Sequence, residues 1–288
     1  YFSLGDITFT DETGTTIRQF QPAEFSLDVG FSQAFTSKFS GGITGRFINS
    51  NLTGGTNILG ANSKPGRSVA VDVGVFYTNP FVKNGKGGRR DGVFNWGMCV
   101  SNVGAKMGYT DSAERDFLPM NLKTGFAYQT YIDDYNSLTF TADINKLLVP
   151  TTPIYDQESG TTIVSGFEPN VGVATAIVQS FYDAPGVVND EGIVESGSIF
   201  REELREYNVG GGIEYDYNSV FAFRTGFFNE HYSKGNRQFI TLGAGIKYTV
   251  FTVDLSYLIS TRQQNPLANT LRFTLRLQFS ELANGNDE

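Results

Sequence analysis

The sequence predicts an all-β chain, a transmembrane antiparallel β-barrel of the bacterial outer membrane with about 12 strands. Three observations predict it. The first is the stretch Thr270 to Phe279, in which Leu271, Phe273, Leu275, Leu277 and Phe279 alternate with Thr270, Arg272, Thr274, Arg276 and Gln278. A strand sends successive side chains to opposite faces, so one face here is oily throughout and the other carries two arginines. At about 3.3 Å per residue and a tilt of about 40°, such a strand covers roughly 25 Å, the height of an outer-membrane apolar band. The second is composition: 33 Gly and 14% aromatic residues, with 25 Phe and 14 Tyr against one Trp. This favours strands and turns over helices. The third is that connections alternate between short and long along the chain, as periplasmic turns and extracellular loops do in such barrels. A soluble Greek-key sandwich has no reason to sort its connections in this way.

The elements follow in order. Tyr1 to Thr10 alternates weakly and ends in the turn 11–14. Phe25, Leu27, Val29 and Phe31 share one parity, and the turn 36–38 leads to Ile43, Gly45 and Phe47. After a connection over 53–66 come Val69, Val71, Val73, Val75 and Tyr77. Residues 79–92 read as a basic, Gly-rich connection, long although it falls on the short-turn side. Phe94, Trp96, Met98 and Val100 form the next apolar parity, which puts Cys99 on the lumenal one. Residues 103–120 read as a loop, followed by Leu122 to Ile132, the turn 133–136, and Leu138 to Ile144. The rhythm then stops over 146–205, a loop long enough to suggest function. Within it, 171–182 reads as a short helix or a lid. Rhythm resumes with Tyr207 to Tyr217, Phe221 to Phe227, Ile240 to Tyr248 and Val253 to Ile259, with turns at 218–219, 233–236 and 250–251 and a loop at 261–268. The domain expectation is therefore a single barrel over 1–288 with a long extracellular loop at 146–205. No repeat of 20 to 50 residues suggests a propeller.

Composition excludes several classes. The net charge of -8 disfavours nucleic acid as a partner. One cysteine, Cys99, allows no intramolecular disulfide, and one histidine, His231, excludes Cys/His metal clusters. No apolar run is long enough for a transmembrane helix, a test that alternating barrel strands do not meet in any case. The chain opens directly on strand-like sequence and reads as a mature chain or fragment that has lost N-terminal sequence.

Candidate chemistry is sparse. His231 with Glu230 and Ser233 has the residue types of a lipid hydrolase, but nucleophilic catalysis needs a base within hydrogen-bond reach and an acid to orient it. A solvated or headgroup-level histidine is the simpler reading. Residues 84–90 lack the strand–GxxxxGK[ST]–helix context of a phosphate loop and read as a basic turn. Asp190, Glu191 and Glu195 do not match an EF-hand spacing. Asn51-Leu52-Thr53 is a weak glycosylation sequon. Gly210-Gly211-Gly212 lies in a strand, so it is no dinucleotide motif but leaves room in a barrel interior or permits a bend. Arg272 and Arg276 are expected to pair with lumenal carboxylates such as Asp72, Asp143 or Asp254. No catalytic residue, cofactor or metal is expected. Partner recognition is placed on 146–205, which carries apolar residues that no strand phase buries: Ile163, Val164, Phe167, Ile177, Val178, Phe181, Tyr182, Val187 and Val188.

Several segments in order, Tyr1 to Ile7, Ser101 to Lys106, Phe117 to Lys123, Gly210 to Tyr215 and Asn265 to Phe273, resemble the PorV family of the type IX secretion system of Bacteroidota, distant relatives of FadL-type fatty-acid transporters. The resemblance implies a FadL-like barrel of 14 strands in the full protein, so that an inner segment and about two strands would precede Tyr1 and neighbour the closing strand. It implies a non-enzymatic role: binding the C-terminal β-domain of secreted cargo at the translocon and shuttling it to a cell-surface attachment complex. The implied partners are the giant SprA-like translocon barrel, the cargo domains, the sortase-like attachment complex, and outer-membrane lipid and lipopolysaccharide. The alternatives are a FadL-like transporter of hydrophobic molecules and an outer-membrane lipid esterase.

Overall fold

The computed structural model describes all residues except 4, 11–12, 53, 56, 59–60, 86–87, 112–114, 157, 190–191, 263–269 and 279–288, and only the backbone of 9, 17, 57–58, 61–62, 83–85 and 88–90. The chain is all-β. Its strands are β1 (Phe2–Ser3), β2 (Ile7–Thr10), β3 (Thr16–Phe20), β4 (Ala23–Ala34), β5 (Phe39–Asn51), β6 (Asn57–Ile58), β7 (Ala61–Asn62), β8 (Gly66–Gly85), β9 (Gly88–Gly104), β10 (Asn121–Tyr131) and β11 (Asn136–Leu147). Then come β12 (Ile154–Tyr155), β13 (Ile163–Ser165), the helices α1 (Val173–Gln179) and α2 (Ser198–Arg205), and β14 (Tyr207–Tyr217), β15 (Phe221–Asn229), β16 (Gln238–Tyr248), β17 (Phe251–Ser260) and β18 (Leu271–Leu277). Twelve strands form one sheet in the order β1-β4-β5-β8-β9-β10-β11-β14-β15-β16-β17-β18, and the rest pair locally as β2–β3, β6–β7 and β12–β13. All pairings are antiparallel, so the sheet is an up-and-down meander. This is the strand order of a barrel wall. Among the described residues β18 is not paired with β1 or β4, and β1 covers only Ala23 and Glu24 of β4.

The two faces differ as the alternation predicts. Leu27, Val29, Phe31, Ile43, Val73, Phe126, Ile144, Ile213, Phe223, Leu242, Leu255 and Phe273 are all exposed, although they are large and apolar. They share one face. The other carries Asp28, Arg46, Asp72, Lys123, Asp143, Glu214, Arg224 and Asp254 beside many glycines. A water-soluble sheet would bury the first face. Here it is outward, as in a lipid-facing barrel. Exposed aromatics also gather beside the short turns: Phe39, Tyr131, Tyr135, Tyr217, Phe221, Tyr248 and Phe251. That is where an aromatic girdle lies at a membrane interface.

Short turns are built from local polar groups. Thr36 Oγ1 accepts from the backbone N–H of Phe39 (3.0 Å). Asp133 Oδ1 accepts from the N–H groups of Tyr135 (2.9 Å) and Asn136 (2.8 Å). Asn218 and Ser219 both take positive φ (54° and 53°), the conformation that a two-residue hairpin requires. Asp216 Oδ1 accepts the Ser219 N–H at 2.8 Å and holds it there.

Three sequence expectations need correction. Residues 79–92 are not a long connection: β8 and β9 pair through Lys83↔Arg90 to Gly85↔Gly88 and leave only 86–87 between them. The turn at 233–236 is a connection over 230–237, the longer kind. With both changes, connection length alternates without exception from β4 to β18. Third, 146–205 is structured: it holds β12, β13, α1 and α2, with α1 inside the segment that reads as a short helix. The closing strand is described over Leu271–Leu277, and Phe279 lies outside the described residues.

A bulge interrupts the β8–β9 pairing between Val71 and Val73. There Asn102 takes φ 60°, and its N–H donates to Asp72 Oδ1 at 2.7 Å. Bulges re-aim side chains. This one turns Asn102 toward Arg46, which donates to its amide oxygen.

Candidate functional site: a cap and a polar lumen

The buried apolar cluster Met120, Leu148 and Ala176 lies outside the wall, where the connection 105–120 meets the insertion 148–206. Val100, Phe117, Leu122, Val149, Val171, Val173 and Ile177 pack against it. The insertion is thus a cap docked on the rim that carries the long connections. α1 supplies Ala176 and Ile177 to this contact, and its Gln179 donates to the Glu168 carbonyl at 3.1 Å.

α2 is inverted relative to a soluble amphipathic helix. Its buried residues are Ser198 and Glu203, while Ile199, Phe200 and Leu204 are exposed. The polar face turns inward because the segment 184–187 presents backbone donors to it. The Ala184 N–H donates to Glu203 Oε1 (2.8 Å), the Gly186 N–H to Glu202 Oε2 (2.7 Å), and the Val187 N–H to Ser198 Oγ (3.0 Å). Gly186 has φ 73°, and a Cβ there would lie 2.6 Å from Ser198 Oγ and 3.0 Å from the Ile199 nitrogen. Only glycine gives both the backbone conformation and the close approach.

Under α2 lies an ionic cluster. Lys146, at the end of β11, is 1% exposed, and its Nζ meets Glu206 Oε2 at 2.7 Å and Glu203 Oε2 at 3.4 Å. The Phe181 and Tyr207 rings flank the same ammonium, at 5.6 and 5.0 Å to their centroids. Lys234, from the connection after β15, reaches Glu202 Oε1 (2.7 Å) and Glu206 Oε1 (3.0 Å). Thr151 Oγ1 donates to Glu206 Oε1 at 2.7 Å, and the Thr151 N–H to Asp183 Oδ2 at 3.0 Å. Burial pushes the Asp183 carboxyl above its ordinary range, the Thr151 N–H opposes this, and the nearby Glu206 charge adds to it. Burial likewise raises Glu203 against the pull of the Ala184 N–H and Lys146. For Glu206 burial is outweighed by the hydrogen bonds from Lys146, Thr151 and Lys234, and its carboxyl is held low. Lys234 is held high, since Glu202 and Glu206 outweigh its burial. A cavity of about 390 Å³ adjoins the cluster, lined by Thr151, Glu202, Glu206, Asn208, Glu230 and Lys234 among others.

The lumenal face carries a separate, open cavity of about 750 Å³, lined by Asp72, Cys99, Lys123, Asp143, Asn145 and several glycines among others. Its charges pair across strands. Arg46 meets Asp28 (2.8 Å) and Asp72 (3.2 Å), and Arg224 meets Glu214 and Asp254. This corrects the expected partners of the closing strand: Asp72 and Asp254 are taken by Arg46 and Arg224, and Asp143 accepts from Asn145 at 3.1 Å. Among the described residues Arg272 and Arg276 form no ion pair. The register explains it, because they stand opposite Ser256 and Thr252.

The expected partner-binding residues all lie in the cap, in two states. Val164, Phe167, Val178, Phe181, Tyr182 and Val187 are exposed, and Phe167 meets Tyr182 edge to face with centroids 5.5 Å apart. Ile163, Ile177 and Val188 are half-buried, with Ile177 in the cap's apolar contact. His231 Nδ1 lies 2.8 Å from Ser233 Oγ, and among the described residues no carboxylate bonds the ring. Burial, with Arg205 and Lys234, lowers its pKa. The third member that a hydrolytic site requires is therefore lacking among the described residues. Of the other sequence candidates, Asp190, Glu191 and Thr53 lie outside the described residues, as do the side chains of 84–90, and Glu195 pairs with Arg201 at 3.6 Å. The ionic cluster has little local signal. Its members are far apart in sequence, and only the adjacent pair Glu202-Glu203 stands out as an acidic group.

A twelve-stranded meander with an oily exterior, a charged lumen and a structured cap suits an outer-membrane β-barrel. The profile of the family described as type IX secretion system protein PorV matches residues 1–154, and the chain belongs to that family. It is therefore a type IX secretion component. No curated protein matches the chain.

Proposed function

We propose that this chain sits in the bacterial outer membrane, receives secreted proteins by their C-terminal β-domain as they leave the translocon, and carries them to the attachment complex at the cell surface. The observation that carries this reading is the cap's exposed apolar surface, formed by Phe167, Val178, Phe181 and Tyr182 on a scaffold held by buried ion pairs. Exposed aromatics on a rigid support are what a protein-binding surface uses. The rest of the proposal extends family membership: the cap faces the cell exterior, and the partners are the translocon barrel, the cargo β-domain and the sortase-like complex. Transport of hydrophobic molecules has less support, since Asp72, Lys123, Asp143 and Asn145 line the lumenal cavity.

The test is capture of a purified cargo β-domain by the full chain with Phe167, Val178 and Tyr182 changed together to serine. All three are exposed and, unlike Phe181, none flanks the Lys146 ammonium, so the cap is expected to keep its fold. Capture is expected to fall at least tenfold. Undiminished capture would remove the cap from cargo recognition.

A further inference from the structure

The oily face of the wall is covered from one sharp row onward. On the outward parity of β9, β10, β11 and β14, Met98, Thr124, Ile144 and Val209 stand side by side in register, and Met98, Ile144 and Val209 are exposed. One step further along the same strands, on the same face, comes the row Val100, Leu122, Lys146 and Tyr207. None of these four is exposed, and Lys146 is fully buried. The cap makes the difference. Val100 and Leu122 pack against its apolar cluster, and Glu203 and Glu206 bring α2 and its end onto the Lys146 ammonium. α2 is therefore laid over an outward-facing side chain of the wall. Two residues at about 3.3 Å each separate the rows, so α2 begins within about 7 Å of the exposed apolar wall.

The side of α2 turned away from the wall is apolar with basic neighbours. Ser198, Glu202 and Glu203 are taken up by the backbone of 184–187 and by the two lysines. Ile199, Phe200 and Leu204 are left outward, all exposed, and Phe200 and Leu204 are neighbours at i, i+4. Arg201 and Arg205 follow them by one position each and form a second i, i+4 pair alongside. Arg201 meets the exposed Glu195 at 3.6 Å, a contact that water screens. Arg205 is close enough to act on the His231 ring in the neighbouring connection, next to the exposed Tyr232. A helix bathed in water turns its glutamates out and its phenylalanine and leucine in. A helix in a membrane interface does the reverse, with its apolar side among acyl chains and its arginines reaching up to the headgroups.

We propose that α2 is an interfacial helix: Ile199, Phe200 and Leu204 dip into the acyl region of the surrounding leaflet, and Arg201 and Arg205 bind the phosphate groups of its anionic lipids. This rests on the outer-membrane reading proposed above. Lipid is the occupant because the apolar side of α2 continues the oily face of the wall, beginning one row beyond Ile144 and Val209. The charge agrees, since the guanidinium fork pairs with phosphate oxygens through two parallel hydrogen bonds. The buried ion pairs then have a second role. By drawing Glu203 and Glu206 onto Lys146 they fix which side of α2 meets the bilayer. α2 thus sets the depth and tilt of the cap against the membrane and leaves Tyr182 on its water-facing surface.

The experiment uses the full chain in phosphatidylcholine nanodiscs, with a fluorophore attached through Phe200→Cys, Tyr182→Cys or Phe140→Cys, each combined with Cys99→Ser. All three labelled positions are exposed, so each accepts the probe. Quenching is measured with lipids spin-labelled just below the headgroup and with iodide in the water. Position 140, on the oily face, reports on the wall alone: an absence of lipid quenching there would refute the outer-membrane reading, and this proposal with it. With 140 quenched by lipid, position 200 is expected to be quenched by lipid at least threefold more than 182, and by iodide at least threefold less. Adding phosphatidylglycerol should strengthen lipid quenching at 200, and R201Q with R205Q should abolish that gain while leaving 140 unchanged. Iodide quenching at 200 equal to that at 182, with 140 still in lipid, would make α2 a surface for water or protein and overturn the proposal. A phosphatidylglycerol gain that survives R201Q with R205Q would overturn the role given to the arginines.

Discussion

The wall and the cap both rely on Arg or Lys set between two acids, but in different surroundings. In the lumen, Arg46 between Asp28 and Asp72 is 23% exposed and Arg224 between Glu214 and Asp254 is 40% exposed. In the cap, Lys146 between Glu203 and Glu206 is 1% exposed. Water screens the first kind and does little for the second. The wall keeps its shape through backbone pairing that continues along every strand, so its ion pairs tune the lumen. The cap has short elements and a small apolar contact, so its ion pairs carry its structure.

Removing the cap's central cation should have the largest effect. Lys146→Met leaves Glu203 and Glu206 buried without their partner, at a cost of about 3–5 kcal/mol to the cap. Hydrogen exchange over 148–206 should accelerate while the wall remains protected. Leu148→Ala follows: Leu148 is buried against Met120 and Ala176, and the cavity should cost about 2–5 kcal/mol, seen as early proteolysis of the cap. Gly186→Ala forces a Cβ into a left-handed backbone against Ser198, at about 1–3 kcal/mol, and should free α2 in the same assay.

Acid gives a finer contrast. The Asp183 and Glu203 carboxyls are raised from 3.8 and 4.5, so the folded cap binds their protons more tightly than the unfolded chain does. Cap stability should therefore rise as pH falls toward those ordinary values. Glu206 is lowered from 4.5, so its contribution is present above that value and is lost as pH falls further through its folded pKa. Exchange measured from pH 7 downward should show protection rising, with any turnover confined to the range below 4.5 where Glu206 takes up its proton. The smallest effect belongs to the wall. Arg46→Met should change thermal unfolding in detergent by no more than about 1 kcal/mol, because the two pairs it breaks, to Asp28 and Asp72, are partly open to lumenal water. A cost as large as that of Lys146→Met would erase the distinction between the two regions.

The wall was legible in the sequence because its signal is local. A period of two with apolar residues on one parity survives in β4, β5, β14 and β18. The misreading at 79–92 has a local cause as well: Pro80, the glycines and the clustered bases imitate a loop. In the structure Pro80 stands opposite Val93 within a long hairpin. Proline is tolerated in strands where no ladder hydrogen bond is required of it. The cap resisted reading for the opposite reason. In α2 the apolar residues Ile199, Phe200 and Leu204 face out and Glu203 faces in, so a periodicity argument would orient the helix backwards. Lys146, Asp183, Glu206 and Lys234 meet only through the tertiary fold, and no spacing announces them. The candidate partner residues were legible as apolar residues outside any strand, but the burial of Ile163, Ile177 and Val188 was not.

Site-specific photocross-linking tests the central claim, cargo recognition by the cap, most directly. A photoreactive residue is placed at Tyr182 in the cap, or at Phe140 on the outward face of the wall, in cells secreting a tagged cargo. Both positions are exposed, so either accepts the probe. The account predicts a cross-link to the cargo β-domain from position 182 and none from 140. Cargo captured from 140 but not from 182 would contradict it.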